Sequence, residues 1–380
     1  MKPLDKNYVP VPTWAAGLAF FSMFFGSGNL LFPLHIGRTA GDLWPQALMG
    51  FFLGAVALPI TAVLCMVYFK GDTFAFMGTS NKKFAWTFMS ICVLLWIPIG
   101  AGPRCIIVAY ESFKTIFPVL GTISTPFYQL LSLLLFNVVY SSFVCYNILH
   151  RDRILRVLGV YLTPMLMIVL AMLFYFVFRT PAAYLDGPIE NQSTFVSALV
   201  DGYNTMDFIA AFFFSSTLIS SLFRESHSVK YVLNKATKAA FFGLTALVII
   251  YSALLYLAVY QAKTLIVVEE KTQLISMIQK TYFGQVGAIL PSILVILACM
   301  TTSVAMGDNL MIFTERLFKD NFRPIPRYYA VVFTILSSGL FVFMNGYLYD
   351  LQYWGLFICC PILFLWMSYI WFRHHYYHDV

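Results

Sequence analysis

Gly26, Ser27, Gly28 and Asn29 fall together about halfway along a run that is otherwise apolar from Thr13 to Pro33. In a helix interior each glycine costs about 1 kcal/mol relative to alanine, so the run is weakest where Asn29 adds a polar amide. Opening a turn here frees N–H and C=O groups that hydrocarbon cannot satisfy. Cargo can satisfy them. The N–H groups and positive dipole of the following half-helix suit a carboxylate, and the carbonyls ending the first half-helix suit a cation. The same glycines would equally serve a close helix–helix contact of the small-xxx-small kind.

A second polar break lies far downstream, in Gly202-Tyr203-Asn204-Thr205-Met206-Asp207 ahead of an aromatic run. Asp207 falls near mid-depth of its apolar segment, where an ionised carboxylate is a functional candidate by default. The alternative is an aspartate held by backbone N–H groups at a helix break, and both readings require a discontinuity. Further on, Thr301, Thr302 and Ser303 place neighbouring hydroxyls on one helix. Hydroxyl and carbonyl oxygens are neutral hard ligands that suit Na⁺; back-bonding to the helix is the alternative. Arg104 and Glu111 lie two helical turns apart, which suits a gate on the outer path, a structural ion pair or an interfacial anchor. Asp308 suits a proton relay, a cap or an ion pair. His374, His375 and His378 form a tail cluster that reads as an interfacial cationic anchor, with metal binding as the alternative.

These residues need membrane spans to hold them. Of 380 residues, 60% are hydrophobic and 11% are charged, and the mean hydropathy is +0.78. A soluble domain carries about a quarter of its residues charged, so the outer surface of this chain faces lipid. The longest polar interruptions, near Arg179–Thr194 and Gln261–Gly284, are too short for a separate catalytic domain. The seven cysteines all sit in apolar runs and read as small core side chains rather than a redox or zinc site. The net charge of +7 is spread through short loops and is no nucleic-acid signal. The first apolar run is too long for a cleaved leader and continues into further spans.

About 20 residues of helix cross the hydrocarbon core. Ten runs qualify: Thr13–Pro33, Trp44–Phe69, Phe84–Tyr110, Pro126–Leu149, Ile154–Phe178, Phe195–Phe223, Ala239–Tyr260, Val286–Thr314, Tyr328–Met344 and Leu351–Phe372. With the N-terminus in the cytoplasm, seventeen Lys and Arg fall on the inner side and six on the outer. That bias predicts cytoplasmic termini. An odd number of spans per half requires opposite orientation of the halves. The expected architecture is therefore a single all-α integral membrane domain over residues 1–380, a 5+5 inverted repeat with broken helices 1 and 6. Its halves are residues 13–178 and 195–372.

The FFGSGNLLFP string of the first span resembles the first helix of the branched-chain amino acid:cation symporter family, usually FFGAGNLIFP. GYNTMD resembles that family's GYLTMD, and Pro98–Glu111 is similar to its IPR…YE pattern. The resemblance runs over most of the chain. It implies the leucine-transporter-like fold, in which helices broken at the midplane hold the substrate. It also implies that the Phe24 carbonyl and the Ser27 and Gly28 amides hold the substrate's ammonium and carboxylate, with Asn29, Thr205 and Asp207 beside them. Na⁺ as coupling ion would sit between carbonyls of Ser22, Phe25 and Ala298 and hydroxyls of Thr301 and Thr302. Members usually carry twelve spans where ten are counted here, and the ten-span core is expected to suffice for transport. Ser27 replaces the usual small apolar residue, which is expected to bear on ion or substrate preference.

The expected function is Na⁺- or H⁺-coupled symport of leucine, isoleucine or valine by alternating access in the cell membrane. The partners are a small amino acid and the lipid bilayer, with no organic cofactor and no nucleic acid. A carrier of another small neutral amino acid is the nearest alternative. From a different class, an intramembrane aspartyl protease would use Asp207 with Gly307-Asp308, but Ala305 stands where its GxGD motif needs glycine. A channel is disfavoured by the lack of a filter loop or rings of charge.

Overall fold

The computed structural model describes residues 10–121, 125–149, 160–161, 163–185, 187–188, 194–223, 225–226, 228–268, 271–321, 362–363 and 365–369. The ninth expected span and most of the tenth lie outside the described residues, as does the histidine tail.

The first span is two helices, α1 (Thr13–Phe24) and α2 (Ser27–Ala40). The second is α3 (Trp44–Phe52) and α4 (Leu58–Tyr68), joined by a π-helical turn at Leu53–Ala57. After the short α5 (Thr73–Met77), α6 (Lys82–Trp96) and α7 (Gly102–Ile116) form the third span. A second π turn, Ile97–Ala101, joins them around Pro98, which has no N–H to give the ladder. Then come α8 (Pro118–Gly121), α9 (Pro126–Leu149) and α10 (Thr163–Phe178). The sixth span is again two pieces, α11 (Thr194–Asn204) and α12 (Asp207–Leu222). The unbroken α13 (Val229–Tyr260) follows. Next are α14 (Ala262–Leu265), a 3₁₀ turn at Lys271–Gln273, α15 (Leu274–Gly287) and α16 (Ile289–Asn321).

Among the described residues, six helical stretches are long and apolar enough to cross a membrane, with Thr13–Phe24 and Thr163–Phe178 as shorter apolar helices. Large apolar side chains such as Leu64, Leu135, Val139, Ile168 and Ile249 are exposed on them, as lipid contact requires. Two sequence expectations change. The seventh span starts ten residues earlier, at Val229, and the polar stretch near Gln261–Gly284 is largely helical. Leu274, Ile275 and Ile278 of α15 are buried, so that helix covers its neighbours with one apolar face.

Packing sorts the helices into two groups. The long α13 runs beside both α1 and α2, α3 packs on α11, and α4 on α12. The other group is built on α16, which packs on α7 and α9 and also touches α10. The crossing of the second span on α11, at the π turn after α3, is close because both sides give up a side chain. A Cβ on Gly54 would lie 2.6 Å from the Leu199 carbonyl, and one on Gly202 2.6 Å from that of Phe51.

One buried ion pair ties the start of α1 to the α12–α13 connection. Lys235 Nζ lies 2.5 Å from Glu225 Oε2, and Glu225 Oε1 accepts the Val11 N–H at 2.9 Å. Removing only the cation leaves a buried, uncompensated carboxylate. Lys235→Met is expected to destabilise the protein by about 3–5 kcal/mol, read as a fall in thermal unfolding midpoint in detergent; Glu225→Gln with Lys235→Met together should recover much of that loss.

Candidate functional site

The first break is two residues long. Phe24 is the last residue of α1, Gly26 is extended (φ −121°, ψ −151°), and Ser27 opens α2. The Gly26 N–H, which would close the helix onto Ser22, turns instead to the Phe24 carbonyl at 2.7 Å. The Ser22 carbonyl thereby loses its ladder partner, and the Thr301 and Thr302 hydroxyls each approach it at 3.4 Å. Thr301 Oγ1 also donates to the Ala298 carbonyl at 2.8 Å. A Cβ on Gly26 would lie 2.7 Å from Thr302 Oγ1, so glycine is what lets the break approach α16. Four neutral oxygens from α1 and α16 thus gather at the end of α1. This donor set fits a hard monovalent cation. Phe25 belongs to the same break, with its ring stacked on Phe21.

At the start of α2, the first-turn amides, Ser27 through Asn29, have no acceptor in the helix's own ladder. This turn packs against the second break, with the Asn29 side chain reaching Asp207. There Met206 takes a left-handed conformation (φ 66°, ψ 16°) between α11 and α12. A non-glycine residue held this way stores about 1–3 kcal/mol, and such strain concentrates at functional sites. Thr205 stitches the turn: its hydroxyl donates to the Gly202 carbonyl at 2.8 Å and accepts the Asp207 N–H at 3.3 Å.

The two breaks are joined by one cluster. Asn29 Nδ2 donates to both Asp207 carboxylate oxygens, at 3.0 and 2.8 Å, and also to the Tyr251 hydroxyl of α13. Tyr251 in turn donates to Asp207 Oδ2 at 2.8 Å. All three side chains are buried. Asp207 is therefore held by side chains rather than by the backbone amides that a helix break offers.

Between the breaks lies a small cavity. Phe24, Ser27, Gly28, Asn29, Thr205 and Asp207, the residues expected at the substrate, all line it, together with Thr302. The remaining expected cation ligands, Ser22, Phe25, Ala298 and Thr301, do not line it. The structure adds lining residues that sequence reasoning missed. Trp96, Phe214 and Met306 make an apolar wall, with the Trp96 and Phe214 ring centroids 5.4 Å apart. Cys105 reaches the cavity and meets Ser27 Oγ at 3.4 Å, so it is more than core filling. Arg104 lines the cavity too, and its Nη1 donates to the Asn204 carbonyl at 3.1 Å. Glu111 pairs with Lys114 at 2.6 Å. Asp308 is buried within α16 and is not a lining residue. The FFGSGN and TMD strings, Thr302 and Arg104 carried a local signal. The aromatic and thiol lining residues look like ordinary apolar spans.

Residues 11–351 match the family model described as a branched-chain amino acid transport protein. The branched-chain amino acid permease BrnQ of Bacillus subtilis is 28% identical over 343 residues, 89% of this chain and 74% of that protein. A Staphylococcus saprophyticus protein named for branched-chain amino acid carriage is 30% identical, covering 88% of this chain and 74% of its own length. Two solved structures share the fold. One is a nucleobase-cation-symport-1 family transporter in a closed conformation with bromovinylhydantoin bound (TM-score 0.57, 13% identity, 92% of this chain and 76% of that one). The other is the Eremococcus coleocola manganese transporter (TM-score 0.59, 13% identity, 97% of this chain and 80% of that one).

Because Asn29 supplies donors to both carboxylate oxygens, Asn29→Leu is expected to cost about 1.5–3 kcal/mol of stability, against about 1 kcal/mol for Tyr251→Phe. Thermal unfolding of the two purified variants checks the order, and equal losses would show that Asn29 is not the main holder of Asp207.

Proposed function

Since the chain belongs to the branched-chain amino acid transport protein family, we propose that it carries leucine, isoleucine or valine by cation symport with alternating access. The observation that carries this reading is the pair of facing helix breaks, whose Ser27, Gly28, Thr205 and Asp207 line one cavity. A zwitterion complements that arrangement. Its carboxylate suits the Ser27 and Gly28 amides at the positive end of α2. Its ammonium suits the Phe24 carbonyl and the Asp207 carboxylate, which lie across the same cavity. The apolar side chain then faces Trp96, Phe214 and Met306.

The coupling ion in this reading is Na⁺, held by carbonyls of Ser22, Phe25 and Ala298 and hydroxyls of Thr301 and Thr302. The weak 3.4 Å contacts from both hydroxyls to the Ser22 carbonyl support it, since a cation gives all three oxygens a better partner than each other. Ion binding would then brace the end of α1 against α16 and set the amino-acid site beside it. Alternating access follows if α1–α4 and α11–α13 tilt against the group around α16, in the manner of a 5+5 inverted repeat. The charge bias of the connections supports a plasma-membrane protein with cytoplasmic termini.

Uptake by purified protein in liposomes tests the whole reading. An inward Na⁺ gradient is expected to drive leucine, isoleucine and valine accumulation, and Thr302→Val to weaken Na⁺ dependence roughly tenfold while Asp207→Ala abolishes uptake. Accumulation driven by a proton gradient alone would transfer the coupling role to H⁺. Indifference to both gradients would defeat symport, and preference for another neutral amino acid would replace the substrate.

A further inference from the structure

Cys105 of α7 lines the cavity without a task in the amino-acid reading. Its Sγ lies 3.4 Å from Ser27 Oγ, and a hydrogen bond from the Ser27 backbone reaches the same sulfur. Its next neighbour is a second thiol. Cys299 of α16 is hydrogen-bonded to Cys105, and both residues are buried. The packing of α7 on α16 holds the two sulfurs together. Cys299 does not line the cavity, so a small molecule that enters it meets Cys105 first. A buried thiol is ordinarily an inert core side chain. One thiol at an opening with a second in contact is instead the arrangement of a redox-sensitive cysteine and its resolving partner.

We propose that Cys105 and Cys299 form an oxidisable dithiol at the binding cavity, which a small hydroperoxide converts to a disulfide that stops transport. The chemistry stands on the two sulfurs; its effect on transport rests on the amino-acid reading of the cavity. With hydrogen peroxide, Cys105 Sγ attacks one oxygen, the O–O bond breaks, and the thiol becomes a sulfenic acid as water leaves. The Cys299 sulfur then attacks Cys105 Sγ, the S–O bond breaks, and a second water leaves with the remaining thiol proton. Two thiols have then lost two electrons to the peroxide, which ends as two waters. The new bond draws the Cys105 sulfur towards α16 and away from Ser27. The first turn of α2 loses this contact at the place where the substrate carboxylate is proposed to bind. A thiol reductant reverses the step by exchange.

The test follows the bond and the transport separately. Purified full-length protein in liposomes is treated with hydrogen peroxide, then digested for peptide mapping by mass spectrometry, while leucine uptake is measured in parallel. The Cys105 and Cys299 peptides are expected to appear joined, lighter by two hydrogens than the pair apart. Uptake is expected to fall over the same time course and to return on reduction. Cys299→Ser keeps a hydrogen-bonding group beside Cys105 and leaves every other cysteine in place. It is expected to transport leucine before and after the same treatment. If it does not fold, Cys299→Ala takes its place. Equal inactivation of that variant overturns the pair, as do peptides that stay unjoined while uptake is lost. A joined peptide with undiminished uptake refutes the switch. If the untreated protein takes up no leucine, isoleucine or valine, the amino-acid reading has failed, and the joined peptide still decides the dithiol by itself.

Discussion

A helix interrupted inside hydrocarbon must hand its freed backbone groups to some other partner, and this protein does so twice at the same place. The Gly26 turn releases the Ser22 carbonyl and exposes the first amides of α2, and the Met206 turn opens α12 opposite them. Left alone, each break would cost several kcal/mol in unsatisfied polar groups. They are kept together by Asn29, Asp207 and Tyr251, a buried cluster in which every carboxylate oxygen has a donor. Without that link neither break would have a reason to face the other.

The rest of the architecture serves this meeting point. The unbroken α13 runs past both breaks and delivers Tyr251 between them. Small residues bring the spans close: glycine at 54 and 202 lets the π turn of the second span touch α11, and Gly26 lets the first break reach Thr302. The partners left over are chemically distinct on each side. Neutral oxygens gather behind α1, while charged groups, Asp207 and Arg104, line the cavity. The two sets of groups are thus separated by a single turn of backbone, which in the proposed reading is a short path for coupling a cation to the amino acid.

Two closures flank the cavity. On one, Lys271 lies 3.6 Å from Asp201 of α11, and Arg38 of α2 donates to the Leu265 and Val268 carbonyls. The segment around α14 therefore straps the two half-helices together. At the end of the broken spans away from it, the Glu225–Lys235 pair and the Val11 amide hold the start of α1. The second pair is buried and the first is partly exposed, so they differ in how much solvent weakens them.

Local chemistry made much of this legible in the sequence. Composition and span length marked a membrane bundle, since lipid leaves few ways to satisfy a backbone. The breaks showed because glycine, asparagine and aspartate are costly in an apolar helix whatever surrounds them. Nothing local could show which groups meet. Asn29 and Asp207 are 178 positions apart and Tyr251 is farther still, and only the packing of α13 against both broken spans unites them. Trp96, Cys105 and Phe214 read as core because apolar side chains in a membrane look the same facing lipid, a neighbour or a cavity. Arg104 was conspicuous in an apolar span, yet its reach to the Asn204 carbonyl and the Phe32 ring depends on how α7 packs against the broken spans. Residue type decided where the helices fail; tertiary packing decided what each failure faces, because direction in space is a property of the assembled bundle and not of any one segment.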